Sequence, residues 1–264
     1  MTHEPIRVLV TGFAGFPGAR RNPTSRLIPA LGKHKSRLAR FGVEIELHVL
    51  PVVYAAIAPR LRDLADGFKP DAILHFGLAA RRKVFCVETR ALNRMSIVHP
   101  DAAGAMSGGR SIIPGGAFIA RATFPSGLIA AAIRRAGIKA HLSIDAGDYV
   151  CNQTLYLSLA TTNARSIGFI HMPRLARRRP CKDRRKDAAA ERRPTFDEAM
   201  RAALIAILVT ATKLRRAQAS KLQSGALLTE AEALSRQENV IRNAKSFHVC
   251  DETKDAPLVD RASA

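Results

Sequence analysis

Short β-branched runs alternate along the chain with segments whose apolar residues recur every three or four positions. Residues 6–11, Ile-Arg-Val-Leu-Val-Thr, run into a glycine-rich turn and predict a first buried strand. The next helix is expected to begin near Thr24, because Asn22-Pro23 makes a turn and Thr24 can cap the residues after it. Residues 44–50 alternate as a strand ended by Pro51, and residues 55–68 place Ile57, Leu61 and Leu64 on one helical face. Residues 72–76 form another buried strand, expected to close at Gly77, and residues 84–92 read as one extended segment with Glu88 near its middle. The Gly-, Pro- and Ser-rich stretch 100–116 predicts an irregular excursion. A helix over 125–135, a strand over 140–144, a helix over 151–164 and a last strand over 167–171 come next. Finally, Thr195-Phe-Asp-Glu198 is a capping box ahead of an apolar helix over 199–214.

Strands and helices alternating at such short spacings imply an α/β fold. The expected form is a single-domain, open, mostly parallel twisted sheet with helices on both faces. A chain of 264 residues with 47% apolar content supports one such core, placed here over residues 1–216. Residues 217–264 are polar and weakly patterned, an extension that is partly helical near 229–243 or disordered. No apolar run approaches the ~18–20 residues of a membrane span, so no membrane association is expected. The first residues lack the basic-then-apolar pattern of a signal peptide.

Charge adds one feature. The formal net charge is +20, and much of it lies in a block over 174–194 that includes Arg174, Arg177, Lys186, Arg192 and Arg193. Such a block can attract nucleic acid or anionic lipid. No aromatic residues interleave with it and no nucleic-acid motif accompanies it, so a solvated loop is the better reading and nucleic acid an unlikely partner. The four cysteines, Cys86, Cys151, Cys181 and Cys250, are too widely spaced for a CxxC metal or redox motif. Reduced thiols, a cytoplasmic location, no metal and no organic cofactor are expected.

The loop over 10–18, Val-Thr-Gly-Phe-Ala-Gly-Phe-Pro-Gly, matches the spacing of a dinucleotide-binding turn. Three features oppose that reading. Pro23 delays the helix past the last glycine, no acidic residue ends the second strand, and none of Tyr54, Tyr149 and Tyr156 has a lysine four residues on.

The chemistry gathers instead around Cys151, which opens a helix, and His171, which ends the next strand. An imidazole and a helix N-terminus together can stabilise a thiolate. Read with the loop Thr11-Gly-Phe-Ala-Gly-Phe-Pro-Gly18, with Asn22-Pro-Thr24, with Val87-Glu-Thr-Arg-Ala-Leu-Asn93, with Ala146-Gly-Asp-Tyr-Val-Cys-Asn152 and with Phe169-Ile-His-Met-Pro173, the chain resembles the pyroglutamyl-peptidase I family. The resemblance implies a cysteine exopeptidase acting on N-terminally pyroglutamylated peptides, with Cys151 as nucleophile, His171 as general base and Glu88 orienting the imidazole. It implies Phe13, Phe16, Asn22 and Leu78 as substrate-binding residues, with Leu78 where many members carry glutamine. It also implies a homo-oligomer and the phosphorylase/hydrolase-like form of the α/β fold. Val98 stands where the family commonly has an arginine near the oxyanion, and Arg90 or Arg94 from the same segment are candidates to replace it. Two other readings stay open on the same residues: a peptidase-like binding or regulatory protein with weakened or lost catalysis, and a cysteine amidohydrolase on another small lactam or amide.

Overall fold

A computed structural model of the chain describes residues 4–176 and 192–220. The elements run β1 (Ile6–Phe13), α1 (Thr24–Leu31), α2 (Lys35–Arg40), β2 (Val43–Leu50), α3 (Tyr54–Phe68), β3 (Ala72–Leu78), β4 (Phe85–Glu88), β5 (Arg90–Leu92) and β6 (Ile119–Arg121). They continue with α4 (Ser126–Arg135), β7 (Ala140–Ser143), α5 (Val150–Thr161) and β8 (Ser166–Met172), and a helix α6 over 196–220 completes them. The described residues up to Arg215 pack as one compact unit. Residues 177–191 of the basic block over 174–194, Cys181, Cys250 and the helix expected near 229–243 lie outside the described residues.

Six strands form one sheet in the order β2-β1-β3-β8-β4-β7. The pairs β2·β1, β1·β3, β3·β8 and β4·β7 are parallel, while β8 and β4 are antiparallel. The sheet is therefore four strands one way and two the other, with β8 at the seam. Alternation along β1 assigns the two faces: Val8 and Val10 join one buried cluster with α1, α4 and α6, whereas Leu9 joins the other with α3 and α5. Fully burying an aliphatic side chain of this size contributes roughly 1.5–3 kcal/mol, so the fold rests on both faces being covered.

Several expected boundaries move, each for a visible reason. Gly77 does not end β3; the strand runs through it to Leu78 and pairs with β8 throughout. The segment 84–92 is two strands rather than one. At Thr89 the chain leaves the main sheet, where the Thr89 N–H and hydroxyl both donate to the Ser143 carbonyl, and Arg90–Leu92 pairs with the unforeseen β6. Thr24 does not cap its own helix. Its hydroxyl is drawn back to Phe13, whose N–H donates to it at 2.9 Å, while Asn22 Oδ1 accepts the Thr24 N–H at 3.1 Å. The capping box at α6 forms as expected: the Thr195 N–H donates to Glu198 Oε2 at 2.6 Å and the Glu198 N–H to Thr195 Oγ1 at 3.2 Å.

Candidate active site

A cavity of about 230 Å³ opens above the C-terminal ends of β1 and β3 and the N-terminus of α5. Its walls include Phe13, Phe16, Asn22, Val52, Leu78, Arg82, residues 145–150, Cys151 and His171. Two of the three proposed catalytic residues thus line one space, and the third lies directly behind it. Across the β8–β4 seam His171 is the register partner of Cys86, and Glu88 is two residues further along β4. Residues two apart share a face, and the His171 Nδ1–H donates to Glu88 Oε1 at 2.8 Å. That bond fixes the imidazole and leaves Nε2 for the cavity.

Cys151 reaches this pair because β3 carries a glycine. Gly77 is the register partner of His171, and a Cβ there would lie 3.0 Å from Cys151 Sγ and 2.5 Å from Phe169 Cζ. The sulfur therefore rests over the sheet at the Gly77–His171 step. Gly147, at φ +85°, turns the chain into α5, whose N-terminus has no side-chain cap. Its first N–H groups and the helix dipole are free to face the cavity. Asn152, next to Cys151, clamps β5: its amide donates to the carbonyls of Leu92 and Arg94 and its oxygen accepts the Leu92 N–H at 2.9 Å. Ser96 N–H donates to the Asp148 carbonyl at 2.6 Å, and the Tyr149 hydroxyl to Pro100, tying the irregular excursion to the cavity wall.

Burial, and then the Glu88 carboxylate, push the Cys151 thiol up to about 12, against a smaller downward pull from its own backbone N–H. The proton therefore stays on sulfur. Elsewhere in the sheet, His75 sits fully buried between Thr11 and Ser158, and burial lowers it to about 3, so it is a neutral core histidine.

The aromatic residues form a wall. Phe16 contacts Tyr149 at 5.9 Å between ring centroids, Tyr149 meets Tyr54 edge-on, and Phe13 packs on Phe169. Leu78 lines the same cavity. Asn22 lines it too, but its amide is committed to the loop, donating to Ala14 and accepting from Thr24. The expected charge support lies elsewhere. Arg90 Nε donates to the Ile144 carbonyl, Arg94 pairs with Asp145 at 3.1 Å, and neither lines the cavity. Val98 is 71% exposed. The cation in the wall is Arg82, which bonds Glu88, Ser143 and the Asp145 carbonyl. In the sequence it sits in Ala80-Arg-Arg-Lys83, where no motif singles it out; only the fold turns it inward. Tyr149 and Val52 were likewise not singled out, since one reads as part of a motif and the other as core. Among the described residues no group of three His, Cys, Asp or Glu side chains is placed to hold a metal, and no helix is long and apolar enough to cross a membrane.

A thiol at a helix N-terminus, set over a sheet beside an imidazole–carboxylate pair, defines a cysteine-hydrolase type of site on an α/β fold. The family model for pyroglutamyl peptidase matches residues 6–212. The pyrrolidone-carboxylate peptidase of Pyrococcus furiosus is 35% identical over 173 residues, covering 64% of this chain and 81% of the relative. That of Pseudomonas fluorescens is 35% identical over 171 residues, covering 64% and 78%. Among solved structures, a mutant pyrrolidone carboxyl peptidase of P. furiosus superposes with a TM-score of 0.67 at 30% identity, over 79% of this chain and 99% of that one. Pyroglutamyl peptidase I of Bacillus amyloliquefaciens gives 0.66 at 27% identity, over 78% and 97%. The chain belongs to the pyroglutamyl peptidase family.

Proposed function

We propose that this protein is a cysteine exopeptidase that hydrolyses the amide bond following an N-terminal pyroglutamate. The observation that carries the mechanism is the 2.8 Å His171–Glu88 bond beside a Cys151 thiol seated over Gly77. Cys151 Sγ attacks the pyroglutamyl carbonyl while its proton passes to His171 Nε2, so the charged pair forms only as the bond forms. Glu88 holds the ring and balances the imidazolium. Charge developing on the carbonyl oxygen meets the free N–H groups at the start of α5. The imidazolium then protonates the leaving amine as the C–N bond breaks, giving a thioester. Water, deprotonated by the same imidazole, attacks that thioester, releases pyroglutamate and returns the proton to sulfur.

The cavity supports this substrate. Its volume of about 230 Å³ is below the ~300–1,000 Å³ of drug-sized pockets, suiting one small ring rather than a length of peptide. Phe13, Phe16 and Leu78 offer flat apolar surface to a lactam. The free thiols of Cys86 and Cys151 suit a reducing compartment and support action in the cytoplasm. Self-association belongs to the same reading, with exposed Phe118 and Ile144 as apolar surface for it. The test is release of aminomethylcoumarin from its pyroglutamyl amide. Wild-type protein should cleave it and Cys151→Ser should not; activity persisting in the variant overturns the nucleophile, and an inactive wild type overturns the substrate.

A further inference from the structure

We propose that Arg82 is a positioning residue of the catalytic site: it holds the Glu88 carboxylate aimed at His171, and it ties this pair to the turn that leads into Cys151. Glu88 is 0% exposed, and its Oε2 has no hydrogen-bond partner. Its other oxygen accepts from two donors, His171 Nδ1 at 2.8 Å and Arg82 Nη1 at 3.3 Å. A charge buried with too few donors and no counter-charge is costly. Arg82 supplies the compensating charge. The same Nη1 donates to Ser143 Oγ at 2.9 Å and Nη2 to the Asp145 carbonyl at 2.5 Å. One guanidinium thereby joins β4, the end of β7 and the turn before α5, using the fork geometry that a lysine lacks. With its side chain 29% exposed, it is reachable from the cavity yet held on three sides.

The surroundings of the pair define what its loss does. His171 faces Glu88 and Cys86 from β4 and shares the cavity with Cys151, Arg82, Asp145 and Asp148. His141 lies beyond Cys86, 3.2 Å from its sulfur, and the neutral His75 lies beyond Phe169. Arg82 is the only cation in the cavity wall among the described residues. Removing it leaves Cys86 and the carboxylates in place and takes away the one positive charge facing the pair, which favours the protonated form of the pair.

The inference rests on the Cys151–His171–Glu88 reading, and its test separates the two. In Arg82→Met, the acidic limb of the kcat/KM profile should move to higher pH, with kcat down about tenfold or more at neutral pH and KM changed little. Arg82→Lys should return the limb towards wild type while recovering only part of kcat. Ser143→Ala, which removes one anchor of the guanidinium, should lower kcat less than Arg82→Met. The titration of the His171 ring, followed by NMR and assigned with His171→Gln, needs no substrate: its midpoint should rise in Arg82→Met. A midpoint and acidic limb unmoved in folded Arg82→Met overturn the proposal, whatever the substrate proves to be. If Arg82→Met does not fold, an Arg82→Lys protein with full kcat overturns it equally.

Discussion

Cys151 is held as a thiol by the low-polarity cavity and the nearby Glu88 carboxylate, which together raise it to about 12. Below that pH the protonated form dominates, so the ultraviolet difference between wild type and Cys151→Ser should show no thiolate band at neutral pH. A band present there would mean that the ion pair exists before substrate arrives. In the proposed mechanism Glu88 acts through the imidazole, not on the substrate. Glu88→Gln should therefore lower kcat by about 10²–10⁴-fold, as loss of the orienting carboxylate does in a serine triad, and leave KM nearly unchanged; steady-state kinetics checks this. Cys151, His171 and Glu88 were legible from the sequence because each sits in a motif of recognisable order. Arg82 was not, because its partners, Glu88, Ser143 and Asp145, are contributed by segments whose proximity only pairing of β4 with β7 establishes.

At the scale of elements, the site depends on how closely α5 approaches β3. Gly77 is expected from the sequence to stop a strand, yet its function in the fold is to lack a side chain under Cys151 and Phe169. Gly77→Ala should displace the sulfur by part of an ångström or more and reduce kcat about 10²-fold; near-normal turnover would show that α5 can back away without cost. The same scale explains the divided 84–92 segment. Its residues read as one extended run, but Glu88 must stay in the main sheet to reach His171, while Arg90–Leu92 leaves it to pair with β6 and receive the Asn152 clamp. Periodicity reports which residues are buried in an extended segment. It does not report which sheet buries them.

For the whole molecule, two layers of helices close a sheet of mixed direction, and the buried polar groups inside it set its response to pH. His75 is neutral when folded, lowered to about 3 by burial from an ordinary 6.5. Between those values the unfolded chain binds the extra proton and the folded one does not. Stability contributed here is therefore present above about 6.5 and declines as pH falls towards 3, by about 1.4 kcal/mol per unit at most. The melting temperature should fall on acidification through this window, and His75→Gln should flatten the fall; an unchanged slope would place the acid sensitivity elsewhere. The alternation of strands and helices, their order, the capping box at α6 and the motif residues Cys151, His171 and Glu88 were determined by the sequence itself, since propensity, periodicity and local spacing are properties of neighbouring residues. Strand order, the antiparallel seam between β8 and β4 that sets His171 against Glu88, the bare Gly77 beneath the thiol and the inward turn of Arg82 were decided only by tertiary structure. They depend on contacts between segments far apart in the chain, and local pattern carries no record of which distant partner is chosen.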